Sequence, residues 1–279
     1  VLDFAKQALV GEQLGQDAVS DYLSVSFSAT DYVGHIFGPS SLEAEDNILR
    51  LDRTLADLLA FVDEQVGLEN TLIVLSADHG GPDTPGYLNG LNIPAGYVDP
   101  DSWARDAAIA RIKKQFGIKG DLIAAYDHPY LYFSDEVRND RRIDQEALEA
   151  AVVEELLKFD GVSLAVSSSA LRQGKLPDTE LYRPVINNFN AKRSGEVFVV
   201  FEPNWFINDM EGLTVASTHG SPWRYDTYVP VAFAGMGLQP RIVDRRVQTV
   251  DVAVTLSAFM GIKPPSGSAG VPLVEVLAE

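Results

Sequence analysis

Three of the four histidines stand in motifs that could do chemistry: His35 four positions after Asp31, His79 directly after Asp78, and His219 in the run Ser-Thr-His-Gly-Ser-Pro. Carboxylates and imidazoles, with no cysteine anywhere, make an oxygen-and-nitrogen donor set suited to zinc or a similar divalent ion. Five such groups exceed the three protein ligands typical of one catalytic zinc, so the set points to two metals. Two-metal sites are typical of hydrolases that displace phosphoryl groups.

Each motif has a plainer reading. Taken alone, Asp31 and His35 are explained as well by a capping aspartate and a buried histidine, and only the second Asp/His pair tips the balance towards a site. Gly34 and Pro39 predict a turn, not a helix, around Asp31 and His35. Adjacent residues of an extended strand point to opposite faces, so Asp78 and His79 can share a site only if the backbone leaves the strand there. Gly80-Gly81-Pro82 allows that. His219 lies in another Gly/Pro turn. His128, in Tyr-Asp-His-Pro-Tyr with no second ligand nearby, is read as structural.

The elements that must position these groups follow from periodicity. Residues 22–29 (YLSVSFSA) alternate as a strand that delivers Asp31 past its C-terminal end. Ser40 and Glu43 form a capping box, opening a long helix with Ile48, Leu51, Leu55, Leu58, Val62 and Val66 at helical spacing and Gly67 as its stop. Residues 71–77 (TLIVLSA) read as a buried strand running into Asp78-His79. Strand, helix and strand predict a βαβ unit with parallel strands and a right-handed crossover. Both Asp/His groups then fall outside the C-terminal strand ends, where open α/β sheets collect ligands.

The texture changes after that. A Gly- and Pro-rich loop leads into predicted helices at 101–116 and 144–159 and strands at 127–133 and 162–168. Core-strand character returns at 196–203 and 228–235, followed by a helix at 251–260. The expected organisation is a first part of an α/β core at 1–86, an insertion or cap at 87–194, and the remainder of the core at 195–279.

Bulk properties bound the function. The chain has 279 residues, 46% of them hydrophobic, and a formal net charge of −18. That charge argues against nucleic-acid binding, which needs clustered Lys and Arg. It would also repel an anionic substrate, unless bound divalent cations reversed the local sign. No apolar run approaches the roughly 18–20 residues of a membrane span. The chain begins at Val1 without a signal-peptide pattern, in a segment that already reads as an amphipathic helix with Leu2, Ala5 and Leu9 on one face. It is therefore expected to be part of something longer.

SFSATDYVGHIFGP, LRLDRTLADLLAFVD, VLSADHG and STHGSPWRYDTYVPVAFAG together resemble the alkaline phosphatase superfamily, in particular the single-chain bacterial alkaline phosphatases with a threonine nucleophile and two zinc ions. The resemblance implies an α/β fold with a mostly parallel sheet between helices, usually exported to the periplasm or beyond. It implies that Asp31, His35 and His219 hold one zinc while Asp78 and His79 help to hold the other, with Mn2+ or another divalent ion as a possible substitute. In that family a further aspartate ligand, the nucleophile and the groups that hold the phosphate lie well upstream of the Asp-x-x-x-His motif. Only 30 residues precede Asp31 here and none resembles them, so the nucleophile is expected upstream of this chain. No catalytic residue is assigned within it: Thr30, Thr218, Ser28 and Ser76 are not placed for in-line attack, and Arg224 reads as a surface arginine.

The expected function is hydrolysis of small phosphate monoesters through a phosphoenzyme, with an alkaline optimum. A phosphodiesterase, nucleotide pyrophosphatase or sulfatase of the same superfamily is the alternative, and a non-catalytic metal-binding fragment is the alternative of another class. The 279-residue chain by itself is expected to be inactive and poorly stable.

Overall fold

In the structure, a computed structural model, residues 1–210 and 212–277 are described. Along the chain come helices α1 (Leu2–Gly11), α2 (Ala29–Phe37) and α3 (Leu42–Gln65), strand β1 (Ile73–Ser76), helix α4 (Pro85–Gly90), strand β2 (Gly96–Tyr97) and helix α5 (Ala107–Gln115). Then follow β3 (Ile123–Asp127), β4 (Tyr130–Phe133), α6 (Asp135–Arg138), α7 (Gln145–Leu156), β5 (Val162–Ser167), α8 (Ser168–Arg172) and α9 (Tyr182–Asn188). The last stretch holds β6 (Val197–Phe201), β7 (Trp205–Phe206), β8 (Asp209–Met210), β9 (Leu213–Thr214), α10 (Arg224–Thr227), β10 (Val231–Ala234), α11 (Val250–Phe259) and α12 (Val274–Leu277). They group into two units, one of Val1–Asp31, Glu45–Asp78 and Val229–Glu279, the other of Tyr32–Ala44 and His79–Tyr228.

The second unit carries most of the buried surface. Its sheet runs β3-β4-β6-β5, every pair antiparallel. The continuous apolar run Val197–Phe201 is buried on both faces, as expected of a central strand. One face joins Leu131, Phe133, Val197 and Val199 to Ile109 of α5 and to Leu148, Val152 and Leu156 of α7. The other gathers Tyr130, Val166, Val185, Phe198 and Val200. Asp106 and Asp144 cap α5 and α7, each accepting a backbone N–H of the first turn, which satisfies a donor that the helix leaves unpaired.

In the first unit, α1 buries Ala5 and Leu9 as the apolar spacing predicts. β1 pairs with β10 antiparallel, Ile73 opposite Ala234 and Ser76 opposite Val231. The 24-residue α3 buries none of its residues.

The α/β class holds, but three local expectations do not. Residues 22–28 are not a strand: alternation specifies which face a strand would bury, but a ladder also needs a neighbouring chain for its N–H and C=O groups, and among the described residues none pairs with this segment. The parallel crossover onto β1 is accordingly absent as a ladder, and the two-residue pair β2–β7 is the parallel one among the described residues. The cap of α3 is Ser41, not Ser40. Its Oγ accepts from the Ala44 N–H at 3.1 Å and donates to the Gly38 carbonyl at 2.7 Å, so Glu43 falls one position short of a capping box.

Candidate metal centre

Asp31 and His35 lie on α2, where the sequence predicts a turn. Residues four apart on a helix project from the same face, so the Asp-x-x-x-His spacing is helical. Gly34 is tolerated inside that helix, and Gly38, at φ +87°, ends it before Pro39. His35 is buried, at 5% exposure. Its Nδ1 lies 2.8 Å from the Ser217 carbonyl, and its own carbonyl accepts from the N–H groups of Ala216 and Ser217. Ser217 Oγ in turn donates to the Pro82 carbonyl at 2.6 Å.

At the end of β1 the backbone leaves the strand, as the Asp78-His79 pair requires. Asp78 is exposed and His79 half-buried. Gly80 makes the exit possible: its N–H donates to the Asp226 carbonyl at 2.8 Å, and a Cβ there would sit 2.1 Å from the Tyr225 carbonyl oxygen. His79 Nδ1 lies 2.9 Å from the Gly80 carbonyl.

The three imidazoles meet in the second unit. The rings of His79 and His219 stack with centroids 3.4 Å apart and an interplanar angle of 17°. Those of His35 and His219 are 5.0 Å apart, tilted by 38°. A carbonyl oxygen can only accept, so His35 and His79 each donate through Nδ1–H, and in the neutral ring the lone pair then sits on Nε2. Metal-binding histidines are oriented in this way, with the other ring nitrogen fixed by a carbonyl or carboxylate. The donor chemistry therefore fits a borderline divalent ion such as zinc.

The turn carrying His219 is held after the histidine by Asp226, which the sequence did not flag, and by His128, which it read as structural. Asp226, 4% exposed, accepts from Ser221 N at 2.7 Å and Ser221 Oγ at 2.5 Å. Burial raises its carboxyl above the usual range, and its buried Oδ1 finds no hydrogen-bond partner among the described residues. One residue nearer to His219, His128 reaches the Gly220 carbonyl through Nε2 at 3.1 Å. Beside His219 opens a cavity of about 360 Å³, walled by Tyr126, Phe201, Trp205, Phe206 and Met210 and also by the polar residues Asp127, Asp209, Thr218, Ser221 and Asp226. Arg224 is exposed and lies over the Tyr228 ring, in keeping with a surface arginine. Ser76 Oγ donates to the Pro230 carbonyl.

No helix among the described residues is long and apolar enough to cross a membrane. A family profile described as Type I phosphodiesterase / nucleotide pyrophosphatase matches residues 2–222. The chain is 35% identical, over its full length and 50% of the relative's, to a protein of Myroides odoratus named a calcium-transporting ATPase. It is 34% identical to the alkaline phosphatase PafA of Elizabethkingia meningoseptica over 99% of this chain and 49% of that protein. A crystal structure of wild-type PafA superimposes with a TM-score of 0.87, covering 98% of this chain and 51% of that one. The chain thus spans about half the length of the curated relatives it matches. It belongs to the type I phosphodiesterase / nucleotide pyrophosphatase family, within the alkaline phosphatase superfamily.

Proposed function

We propose that the protein containing this chain is a metal-dependent phosphoester hydrolase of the alkaline phosphatase type. Asp31, His35 and His219 would hold one divalent ion, and Asp78 with His79 would contribute to a second. One observation carries the reading: His35 and His79, each with Nδ1 tied to a backbone carbonyl, converge on His219. The helical Asp31–His35 spacing and the adjacency of Asp78 to His79 support the two carboxylates as partners. When bound, such ions supply positive charge for an ionised nucleophile and for a leaving-group oxygen. The chain's own part is to keep the imidazoles in the ligating tautomer. It also offers a partly aromatic cavity beside His219 for the organic part of an ester.

The substrate in this reading is a small phosphate monoester, cleaved through a phosphoenzyme whose nucleophile lies outside these 279 residues. The test is to measure metal content and monoester turnover of the full-length protein after His35→Ala and His219→Ala. Both are expected to fall together, and full turnover with unchanged zinc would refute the assignment. The matching family profile gives a specific reason for a second reading, a phosphodiesterase. The ratio of monoester to diester turnover separates the two. An exported location follows from the resemblance and is tested by cell fractionation. The division into core segments 1–86 and 195–279 with an insertion at 87–194 belongs to the same proposal, and limited proteolysis tests its boundaries.

A further inference from the structure

We propose that His128 is a positioning residue for His219, holding the turn that carries this ligand through the carbonyl of Gly220; the inference rests on the reading of His219 as a metal ligand.

The geometry allows one arrangement of protons. The Gly220 carbonyl can only accept, so His128 donates to it through Nε2–H at 3.1 Å. The neutral ring then has its lone pair on Nδ1, which lies 2.9 Å from the Tyr126 hydroxyl. That hydroxyl can donate, so every polar atom of the ring is matched. With both nitrogens engaged, His128 is not itself a ligand. Burial lowers its pKa, which keeps the ring in the neutral form that this chain of bonds requires.

The ring is anchored by the sheet. Tyr126 lies on β3, and the imidazole stacks on Phe201 at the end of β6, centroids 5.7 Å apart and 23° from parallel. Phe201 is 3% exposed. Gly220 completes the fit: it has φ +108°, a conformation that L side chains rarely adopt, and a Cβ there would stand 3.0 Å from both Cδ2 and Nε2 of His128. The imidazole therefore occupies the space that the missing side chain leaves. Asp226 grips Ser221, the next residue of the same turn, so the two residues that follow His219 are both held.

The experiment uses the full-length protein with His128→Phe, which keeps the stacking but removes both nitrogens, and His128→Gln, which returns a donor. Tyr126→Phe removes only the hydroxyl that fixes the tautomer. Zinc affinity is read by chelator competition, and ligand geometry by the visible bands of the Co2+-substituted protein. His128→Phe is expected to weaken zinc binding by roughly 10–100-fold, the usual cost of losing an outer-shell partner, and to shift the cobalt bands. His128→Gln should recover part of both, and Tyr126→Phe should give a smaller loss in the same direction. A folded His128→Phe protein with unchanged affinity and bands overturns the proposal. If that variant does not fold, unchanged affinity in both His128→Gln and Tyr126→Phe overturns it instead. His219→Ala is the reference: if it leaves metal binding intact, the metal-site reading itself has failed, a result distinct from loss of binding in His219→Ala with none in the His128 variants.

Discussion

In the unit built on β3–β6, apolar periodicity becomes buried surface: Leu131, Leu148, Val152, Leu156, Val197 and Val199 are all at 0% exposure. In the other unit the same kind of pattern is covered only in part. α3 has an apolar stripe as regular as any in the chain, yet none of its residues is fully buried: Leu51, Leu55, Leu58 and Val62 are half-buried, and Ile48 of the stripe and its neighbour Leu49 are 53% and 54% exposed. A periodic stripe states which face of an element is apolar; burial needs a second element to cover that face. The hydrophobic contribution follows the area removed from water, about 25 cal/mol per Å², so stability should be concentrated in the sheet-centred unit.

The largest test of that contrast compares two leucine truncations by urea unfolding. Leu131→Ala is expected to cost about 2–5 kcal/mol, the range for emptying a fully buried site. Leu49→Ala should change stability by less than about 0.5 kcal/mol, as exposed positions do. If Leu49→Ala costs as much as Leu131→Ala, α3 is covered in solution and the contrast collapses.

Next in size is Gly80→Ala. The new methyl would meet the Tyr225 carbonyl at 2.1 Å, so either the 225–226 backbone or the His79 segment must move. A loss of about 2 kcal/mol or more is expected, in line with other substitutions that force backbone strain, together with altered His79 ring resonances in NMR spectra.

A third test uses pH, because Glu149 and Glu275, one in each unit, are shifted in opposite senses. Burial pushes Glu149, 2% exposed, above its ordinary value, although it accepts the Ser169 N–H at 2.7 Å. Its contribution to stability is present below the unfolded-state pKa and is lost as pH rises through the raised folded value. In the other unit, the Arg245 guanidinium holds Glu275 down to about 2. That contribution is present above the unfolded-state pKa and is lost as pH falls through the depressed one. Glu149→Gln should therefore flatten the decline in stability on the neutral side of pH 4.5, and Glu275→Gln the decline on the acid side. Residue-resolved hydrogen exchange across that range, each variant against the parent, would show each substitution's change in its own unit, and equal changes in both units from either substitution would break the distinction.

The smallest effect expected is a gain. Gly34 is inside α2 and a Cβ there meets nothing within 4 Å, so Gly34→Ala should stabilise by about 0.5–1 kcal/mol. A loss on that substitution would restore the turn that the sequence predicted.

How much of this was legible depended on the distance between partners. Val162–Ser167, Val197–Phe201 and Val250–Phe259 follow local patterns and lie where the sequence puts them. The Asp/His motifs are compact enough to be seen as motifs. Around His35 the punctuation misleads: Gly34 and Pro39 predict a turn, but Gly34 lies inside α2 and Pro39 follows the Gly38 that ends it. The supports of the site carried no local signal at all. His35 and Ser217 are 182 positions apart, and His128 and Gly220 are 92 apart. Nothing in the local sequence marks Asp226, whose carbonyl and carboxylate hold Gly80 and Ser221.

The tie between Ser217 and Pro82 spans 135 positions, and the whole four-stranded antiparallel sheet lies between its ends in sequence. Contacts of such sequence separation form late, because the entropy of closing a long loop must be overcome before the contact contributes anything. The imidazole cluster is therefore expected to be a final product of folding, not a nucleus for it. Metal uptake during refolding should lag behind amide protection in β4 and β6, so that an ion is captured only by a chain whose sheet is already complete. Stopped-flow zinc release from a chelator, run beside pulsed hydrogen exchange, would reveal the order, and uptake preceding protection of the sheet would reverse it.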